Sequence, residues 1–341
     1  MFGHRSDGKK VKGMNIIEKA EPFFMPQRID AVNYITAKIP CSPMDEFIAR
    51  ERKKGTSYTY MHILFATLVR VLYTKPKLNR FIMRGSVYQR NTISITMDIK
   101  PKLEEDADNI TCKFYFTGRE SLPEVKKMVD EEIAKYTIGG VDSSEQATTK
   151  AAKKFCALPD FLFRWALGIA RWADKHGMLG KKLIHASPFH TSCFVTNLKS
   201  IKLGHIYHHL YNFGTTAMFF SMGKEQLEPY IENNKEIKIG KFMNLGISMD
   251  ERIADGFYYG KCLKLMKDLL ANPDSLMESL PDDGTIPKKM IKKRAKKAKS
   301  ASKKAKKIEK KAKKRNPLLN KQKLDKRMKK RNEKEEGLVE E

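Results

Sequence analysis

The lysine-rich stretch at the C-terminal end most constrains which part of this chain can form a folded domain. From Ile286 to Glu341 the sequence has 25 Lys and Arg against 7 Asp and Glu, a net charge of +18. A segment with so many like charges and so little apolar surface does not build a core in water. The rest of the chain carries only +9 of the total of +27. We therefore expect a flexible lead-in over residues 1–18, one folded domain over residues 19–285, and a disordered or helical tail over residues 286–341.

The basic tail also indicates a class of partner. Residues 291–314 are low in complexity and dominated by Lys and Ala, which favour a helix once an anionic partner neutralises the charge. Phosphate groups bind such segments without regard to sequence, so RNA or DNA is one candidate partner and an anionic membrane surface is another. The alternative is a solvated tail that only aids solubility.

The cysteines and the hydropathy of the sequence indicate the cellular compartment in which the protein is located. Five scattered cysteines, none in a CxxC pair, argue against a disulfide framework and a structural zinc site. The first residues have no apolar run typical of a signal peptide. The most apolar stretch, residues 155–172, contains Asp160, Arg164 and Arg171 and is too short to span a bilayer. These features predict a cytoplasmic protein without a transmembrane segment.

Short strands mix with helices in this sequence without regular alternation, which predicts an α+β fold with an open mixed sheet and helices packed on one side. The strands are expected at Ala31–Ile39, Val87–Ile99, Asn109–Phe116, Thr191–Thr196, Thr216–Met222 and Lys241–Ser248. The helices are expected at Ser42–Lys54, Tyr58–Tyr73, Ser121–Tyr136, Pro159–Lys175 and Phe257–Leu270.

The helix at Pro159–Lys175 has an apolar side that includes Trp165, Ile169 and Trp172. We expect this side to face the core or a neighbouring subunit, because amphipathic helices usually bury their apolar face. A helix lying on a membrane surface is the alternative.

One segment near the end of the domain carries a family resemblance. Residues 246–256 read GISMDERIADG and are followed by a helix. This resembles the segment of dihydrolipoyl acyltransferases and chloramphenicol acetyltransferase in which a strand ends in His-x-x-x-Asp-Gly and a helix follows. Asp255 and Gly256 match that pattern, whereas Glu251 stands at the histidine position. In those families the His is the general base, the Asp orients the site through a salt bridge, and the Gly permits the turn into the helix.

Two further segments support the resemblance. Residues 193–198, CFVTNL, resemble a strand of dihydrolipoyl acyltransferases in which a Ser hydroxyl donates a hydrogen bond to the oxyanion; Thr196 occupies that position. Residues 60–82 resemble the buried helix and turn that border the substrate channel. Residues 206–214, IYHHLYNFG, resemble a segment of stand-alone relatives that also read Asp-Glu-Arg-Ile at the site.

The resemblance implies a chloramphenicol acetyltransferase-like fold and a CoA-dependent acyltransferase that uses CoA or acyl-CoA as a substrate. It also implies a homotrimer, with the site between subunits. A lipoyl domain and a metal are not expected.

Because Glu251 replaces the family's histidine, the sequence does not identify which residue would act as the general base. Glu251 can serve if burial beside Asp250 or Asp255 raises the pKa of its carboxyl group. It can instead pair with Arg252 or another cation and do no chemistry.

A histidine of the nearby segment is the other candidate base. His208 or His209 can reach the site from a different direction, unless these histidines only pack on a short helical turn. A zinc site formed with His205 is disfavoured, because no carboxylate or cysteine of matching spacing accompanies them.

Two functions follow from these alternatives. The first is acyl transfer from CoA or another thioester to an unidentified acceptor with a non-standard base. The second is a catalytically inactive acyltransferase fold that acts as a trimeric scaffold, with the basic tail binding nucleic acid or another polyanion.

Overall fold

The computed structural model describes residues 5–100, 110–137, 157–232 and 236–281. The predicted tail, residues 286–341, lies outside these ranges. Contacts divide the chain into one unit of Met1–Tyr230 with Ile237–Thr285 and another of Ile231–Glu236 with Ile286–Glu341. Apart from residues 231, 232 and 236, all of the described residues belong to the first unit.

The described residues form the following strands and helices. The strands are β1 (Gly8–Lys10), β2 (Val32–Pro40), β3 (Arg80–Met83), β4 (Ser86–Arg90), β5 (Ile93–Ile99), β6 (Ile110–Phe116), β7 (Cys193–Asn197), β8 (Met218–Glu232) and β9 (Glu236–Asp250). The helices are α1 (Ile16–Phe24), α2 (Ser42–Lys53), α3 (Tyr60–Thr74), α4 (Leu122–Thr137), α5 (Asp160–Lys175), α6 (Lys181–Ala186) and α7 (Gly256–Leu270).

The main sheet has six strands in the order β2-β9-β8-β7-β5-β6. β2 with β9 and β5 with β6 are antiparallel, whereas β5 with β7 and β7 with β8 are parallel. A second, antiparallel sheet has the order β1-β4-β3. The predicted α+β class with a mixed sheet is confirmed.

Three helices, α3, α4 and α7, pack against one face of the main sheet. α3 contacts α4, α7 and β5, while α4 contacts β6 and α7 contacts β2. α3 is buried along nearly its whole length, as its continuous apolar sequence predicts. The helix starts at a capping box, in which Thr59 accepts a hydrogen bond from the backbone of His62 and the His62 ring accepts one from the backbone of Thr59.

The two faces of the sheet differ in what covers them. On the helix side, Met218, Phe220, Ile247 and Met249 line an apolar cavity together with residues of α3 and α7. Residues at alternate positions point to the opposite face, as the pleat requires. That opposite face carries the candidate site.

Two predictions about local structure are corrected by the fold. Val87–Ile99 is not one strand, because a turn at Asn91 and Thr92 separates β4 of the small sheet from β5 of the main sheet. The lead-in predicted at residues 1–18 contains β1, which pairs with β4, and the start of α1. Arg5 fixes this segment, because its buried guanidinium bonds Asp7 and Asp174.

Candidate functional site

The segment from His205 to Gly214, here named the covering segment, lies over the face of the main sheet opposite α3, α4 and α7. It has no regular secondary structure, so the short helical turn expected for its histidines is not present. Leu210 packs with Phe194 of β7 and Phe219 of β8 in a buried cluster. The covering segment therefore closes over the sheet without forming an element of its own.

Glycine lets the covering segment approach the sheet. A Cβ added at Gly246 of β9 would lie 2.4 Å from the carbonyl oxygen of Ile206 and 2.6 Å from Ser221 Oγ. Ser221 accepts a hydrogen bond from the backbone nitrogen of Ile206 at 3.1 Å and donates one to its carbonyl oxygen. This close approach fixes the start of the segment on β8 and β9.

Arg28 fixes the other end of the covering segment. Its guanidinium donates to the carbonyl oxygens of Tyr211 at 2.7 Å and Gly214 at 2.8 Å. The Asn212 side chain accepts a hydrogen bond from the Arg28 backbone and donates one to Gln27. Burial lowers the pKa of Arg28 to about 10, which still leaves the guanidinium charged at neutral pH.

The fixed segment places His208 beside Thr196. Thr196 Oγ1, at the end of β7, lies 3.2 Å from His208 Nε2. The imidazole stacks on Phe219, with the ring centres 4.0 Å apart. Burial lowers the pKa of His208, and the nearby carboxylate of Asp98 opposes this shift. The lowered pKa favours the neutral ring, which accepts a proton at Nε2 in the tautomer that carries its hydrogen on Nδ1.

Asp98 was not singled out from the sequence. β5 runs parallel to β7 with Met97 opposite Val195, so Asp98 lies level with Thr196 on the neighbouring strand. Its carboxylate accepts a hydrogen bond from Thr111 at 2.6 Å. The alternation of β5 suggested which face Asp98 occupies, but the neighbour of β5 is known only from the sheet order.

The other candidate histidines lie elsewhere. His205 Nε2 lies 3.1 Å from Thr36 Oγ1 on β2, where Tyr207 also hydrogen-bonds Thr36. His209, next to His208, is exposed. Among the residues that the structure describes, no group of His, Cys, Asp and Glu is arranged to hold a metal ion.

Glu251 opens a short turn, Glu251–Ile253, directly after β9. Its Oε2 accepts a hydrogen bond from Asn33 Nδ2 at 2.5 Å. Glu251 is not paired with Arg252, because Arg252 is held by Asp250 through contacts of 2.8 and 2.6 Å. Both members of that ion pair are buried, whereas Glu251 is partly exposed.

Asp255 and Gly256 form the start of α7. The Asp255 carboxylate accepts a hydrogen bond from the backbone of Tyr258 at 2.8 Å, and this bond lowers the pKa of Asp255. Asp255 thus acts as the helix N-cap, and Gly256 is the first residue of the helix. The capping contact accounts for Asp255 without the salt bridge that the resemblance implied.

Glu251 and Thr196 do not meet within one chain. Thr196 lies opposite Ser221 in the β7–β8 ladder. The residue before Glu251, Asp250, donates its backbone hydrogen to Ala217, four residues before Ser221. Four residues along a strand and two strand spacings across the sheet separate the two positions by about 16 Å. Within one chain, Thr196 therefore contacts His208, whereas Glu251 lies beyond the end of β9, away from both residues.

A model of the 2-oxoacid dehydrogenases acyltransferase (catalytic domain) family matches residues 206–278. The resemblance predicted from the sequence is confirmed. The match spans all but the first residue of the covering segment together with β8, β9 and α7, and so includes His208, Glu251 and Asp255. A comparison with curated proteins gave no match.

Solved structures of the same kind are similar to this chain. A probable dihydrolipoamide acetyltransferase from Listeria monocytogenes is 16% identical, with 77% of this chain and 94% of that chain covered and a TM-score of 0.48. A chloramphenicol acetyltransferase is 14% identical, with 77% and 99% covered and a TM-score of 0.45. A catalytic core of a 2-oxoacid dehydrogenase complex from Thermoplasma acidophilum is 12% identical, with 78% and 100% covered and a TM-score of 0.46.

Proposed function

We propose that this protein transfers an acyl group from CoA or a related thioester to a thiol or hydroxyl acceptor, with His208 as the general base. The observation that carries the proposal is the 3.2 Å contact between Thr196 Oγ1 and His208 Nε2. A hydroxyl can donate a hydrogen bond to a developing oxyanion, and a neutral imidazole beside it can take the proton of the acceptor. The family resemblance supplies the thioester donor.

The reaction follows from these two groups. The acceptor X–H takes the place of the Thr196 hydroxyl at Nε2 and gives its proton to His208 as X attacks the thioester carbonyl. The freed Thr196 hydroxyl donates a hydrogen bond to the oxyanion of the tetrahedral intermediate. The carbon–sulfur bond then breaks, and the imidazolium returns its proton to the departing CoA thiolate.

Glu251 is not the base in this proposal. Its carboxylate is bonded to Asn33 and lies far from Thr196 in the same chain. The resemblance suggests a trimer, in which Glu251 of one subunit borders the channel of its neighbour. In that position its carboxylate would help to select the acceptor rather than remove the proton.

Turnover of acetyl-CoA with a panel of thiol and hydroxyl acceptors tests the assignment. We expect His208→Ala to reduce turnover by about 10²- to 10⁴-fold, the usual contribution of general base catalysis. Thr196→Val removes the hydroxyl at nearly constant volume and should cost about 10²- to 10³-fold. His209→Ala is the matched control, since His209 is the adjacent, exposed imidazole.

The variants that lose activity decide whether His208 or Glu251 is the general base. Full activity of His208→Ala would refute the assignment, and loss of activity in Glu251→Gln alone would return the base to the carboxylate. The hydrogen bond that ties Glu251 to Asn33 favours the second candidate function, a catalytically inactive fold that acts as a trimeric scaffold. Failure to bind CoA by calorimetry would support that function and remove acyl transfer.

A further inference from the structure

α5 exposes the large apolar side chains that the sequence led us to expect in a core or subunit interface. Phe161 and Trp165 are 70% and 67% exposed, and Trp172 is 50% exposed. Together with Ile169 they recur at intervals of three and four residues, so they form one stripe about 16 Å long on the helix. The expectation that this side faces the core is wrong.

The opposite side of α5 attaches the helix to the domain. Asp174 is buried, and its carboxylate lies 2.8 Å from the guanidinium of Arg5 and 3.2 Å from His190 Nε2. Phe163 and Leu167, on the same side, are partly buried. The helix is thereby held in a fixed rotation, and the stripe of Phe161, Trp165, Ile169 and Trp172 points away from the domain.

Positive charge lies along one flank of the stripe. Arg164, Arg171 and Lys175 fall within a narrow sector of the helix beside the aromatic residues, and all three are exposed. Lys181 and Lys182 extend the positive charge onto α6 and are also exposed. The one acidic side chain on the exposed part of α5 is Asp160, in its first turn.

We propose that α5 docks onto an anionic phospholipid surface, with its apolar stripe inserted between the head groups. Exposed tryptophans prefer the boundary between lipid and water, and a flank of Arg and Lys places cations at the level of anionic phosphates. The chain's net charge of +27 attracts it to the same surface. Among the described residues no helix is long and apolar enough to cross a bilayer. The helix therefore lies along the surface.

The charge pattern favours lipid over a second copy of the chain. A copy that covered the stripe would have to offer acidic groups to Arg164, Arg171 and Lys175. Nearby surface on α5 and α6 repeats the positive sign with Lys181 and Lys182. A bilayer containing anionic lipid supplies both the apolar layer and the negative charge that this surface lacks.

Tryptophan fluorescence gives a direct test, because the chain has 2 tryptophans and both belong to the stripe. The full chain is mixed with vesicles of phosphatidylcholine alone or of phosphatidylcholine with phosphatidylglycerol. We expect a blue shift of the emission and quenching by brominated lipid with the anionic vesicles only. The double variant Phe161→Asp/Ile169→Asp keeps both reporters and should lose the shift. Leu227→Asp, at an exposed site on β8, is the matched control and should retain it.

Other results would overturn the proposal. Sedimentation with anionic vesicles without a change in emission would assign binding to another region, such as the basic tail. A blue shift that depends on protein concentration without lipid, and that Phe161→Asp/Ile169→Asp abolishes, would show that a second copy covers the stripe. An equal shift with phosphatidylcholine alone would refute the role of the cations.

Discussion

The buried ion pair of Asp250 and Arg252 offers a stability prediction that can be worked out from its contacts. The Asp250 carboxylate accepts bonds from Arg252 Nε at 2.8 Å and Nη2 at 2.6 Å, and both side chains are at most 2% exposed. Asp250→Ala leaves the guanidinium with one described partner, the carbonyl oxygen of Met25 at 2.6 Å. Two charge-assisted hydrogen bonds are worth about 1.5–3 kcal/mol each.

We therefore expect Asp250→Ala to lower the free energy of unfolding by about 3–5 kcal/mol, the range for breaking a buried ion pair. Urea unfolding followed by circular dichroism measures this loss. The double variant Asp250→Ala/Arg252→Met should recover much of it, because no buried charge is then left without a partner. As a control, Asp274→Ala removes the exposed pair with Arg50 and should cost less than about 1 kcal/mol.

A loss below about 1 kcal/mol for Asp250→Ala would refute this reasoning. So would a double variant as unstable as the single one, because the cost would then come from the shape of the turn rather than from the charge. Either result would mean that the turn carrying Glu251 is fixed by its backbone and not by the ion pair.

Two further predictions concern the covering segment and the site beneath it. Gly246→Ala should push Ile206 and Ser221 away from β9, destabilise the protein by about 1–3 kcal/mol and reduce turnover, whereas Gly260→Ala, which meets no atom within 4 Å inside a helix, should stabilise it by up to about 1 kcal/mol. Urea midpoints and acetyl-CoA turnover measure both, and equal effects of the two changes would contradict the close approach. Because burial lowers the pKa of His208 in the folded protein, the neutral ring is favoured by folding. Its contribution to stability is then complete above about pH 6.5 and falls as the pH drops towards the folded-state pKa. The profile of kcat/KM should show an acid limb below about pH 6.5 and a plateau above it, and a limb centred above that pH would contradict His208 as the base.

The sequence predicted the elements that are set by local patterns. α3 could be recognised because its apolar residues are continuous and Pro76 follows it, and α7 because it follows the Asp255-Gly256 pair of the family segment. β2 and β6 could be recognised from their alternation. Each of these signals lies within about fifteen consecutive residues, which is why no knowledge of the fold was needed.

Other elements depend on contacts that the sequence does not display. β4 and β5 read as one strand, because both alternate and only Asn91 and Thr92 interrupt them. Their separation into two sheets follows from their different neighbours, β1 and β3 for one and β6 and β7 for the other. α1 has a large exposed apolar surface and was not predicted.

The sequence by itself determined that the chain resembles an acyltransferase catalytic domain and that Glu251 stands where that family has its base. Covalent spacing alone was enough for both, since strand, turn and helix follow each other directly around Asp255. Only the tertiary structure placed His208, and not His209, beside Thr196. That placement depends on two residues that are distant in sequence. Arg28 bonds one end of the covering segment, and Gly246 leaves room for the other end on β8 and β9. A segment without regular structure takes its conformation from such long-range contacts, and so does the direction in which each of its side chains points.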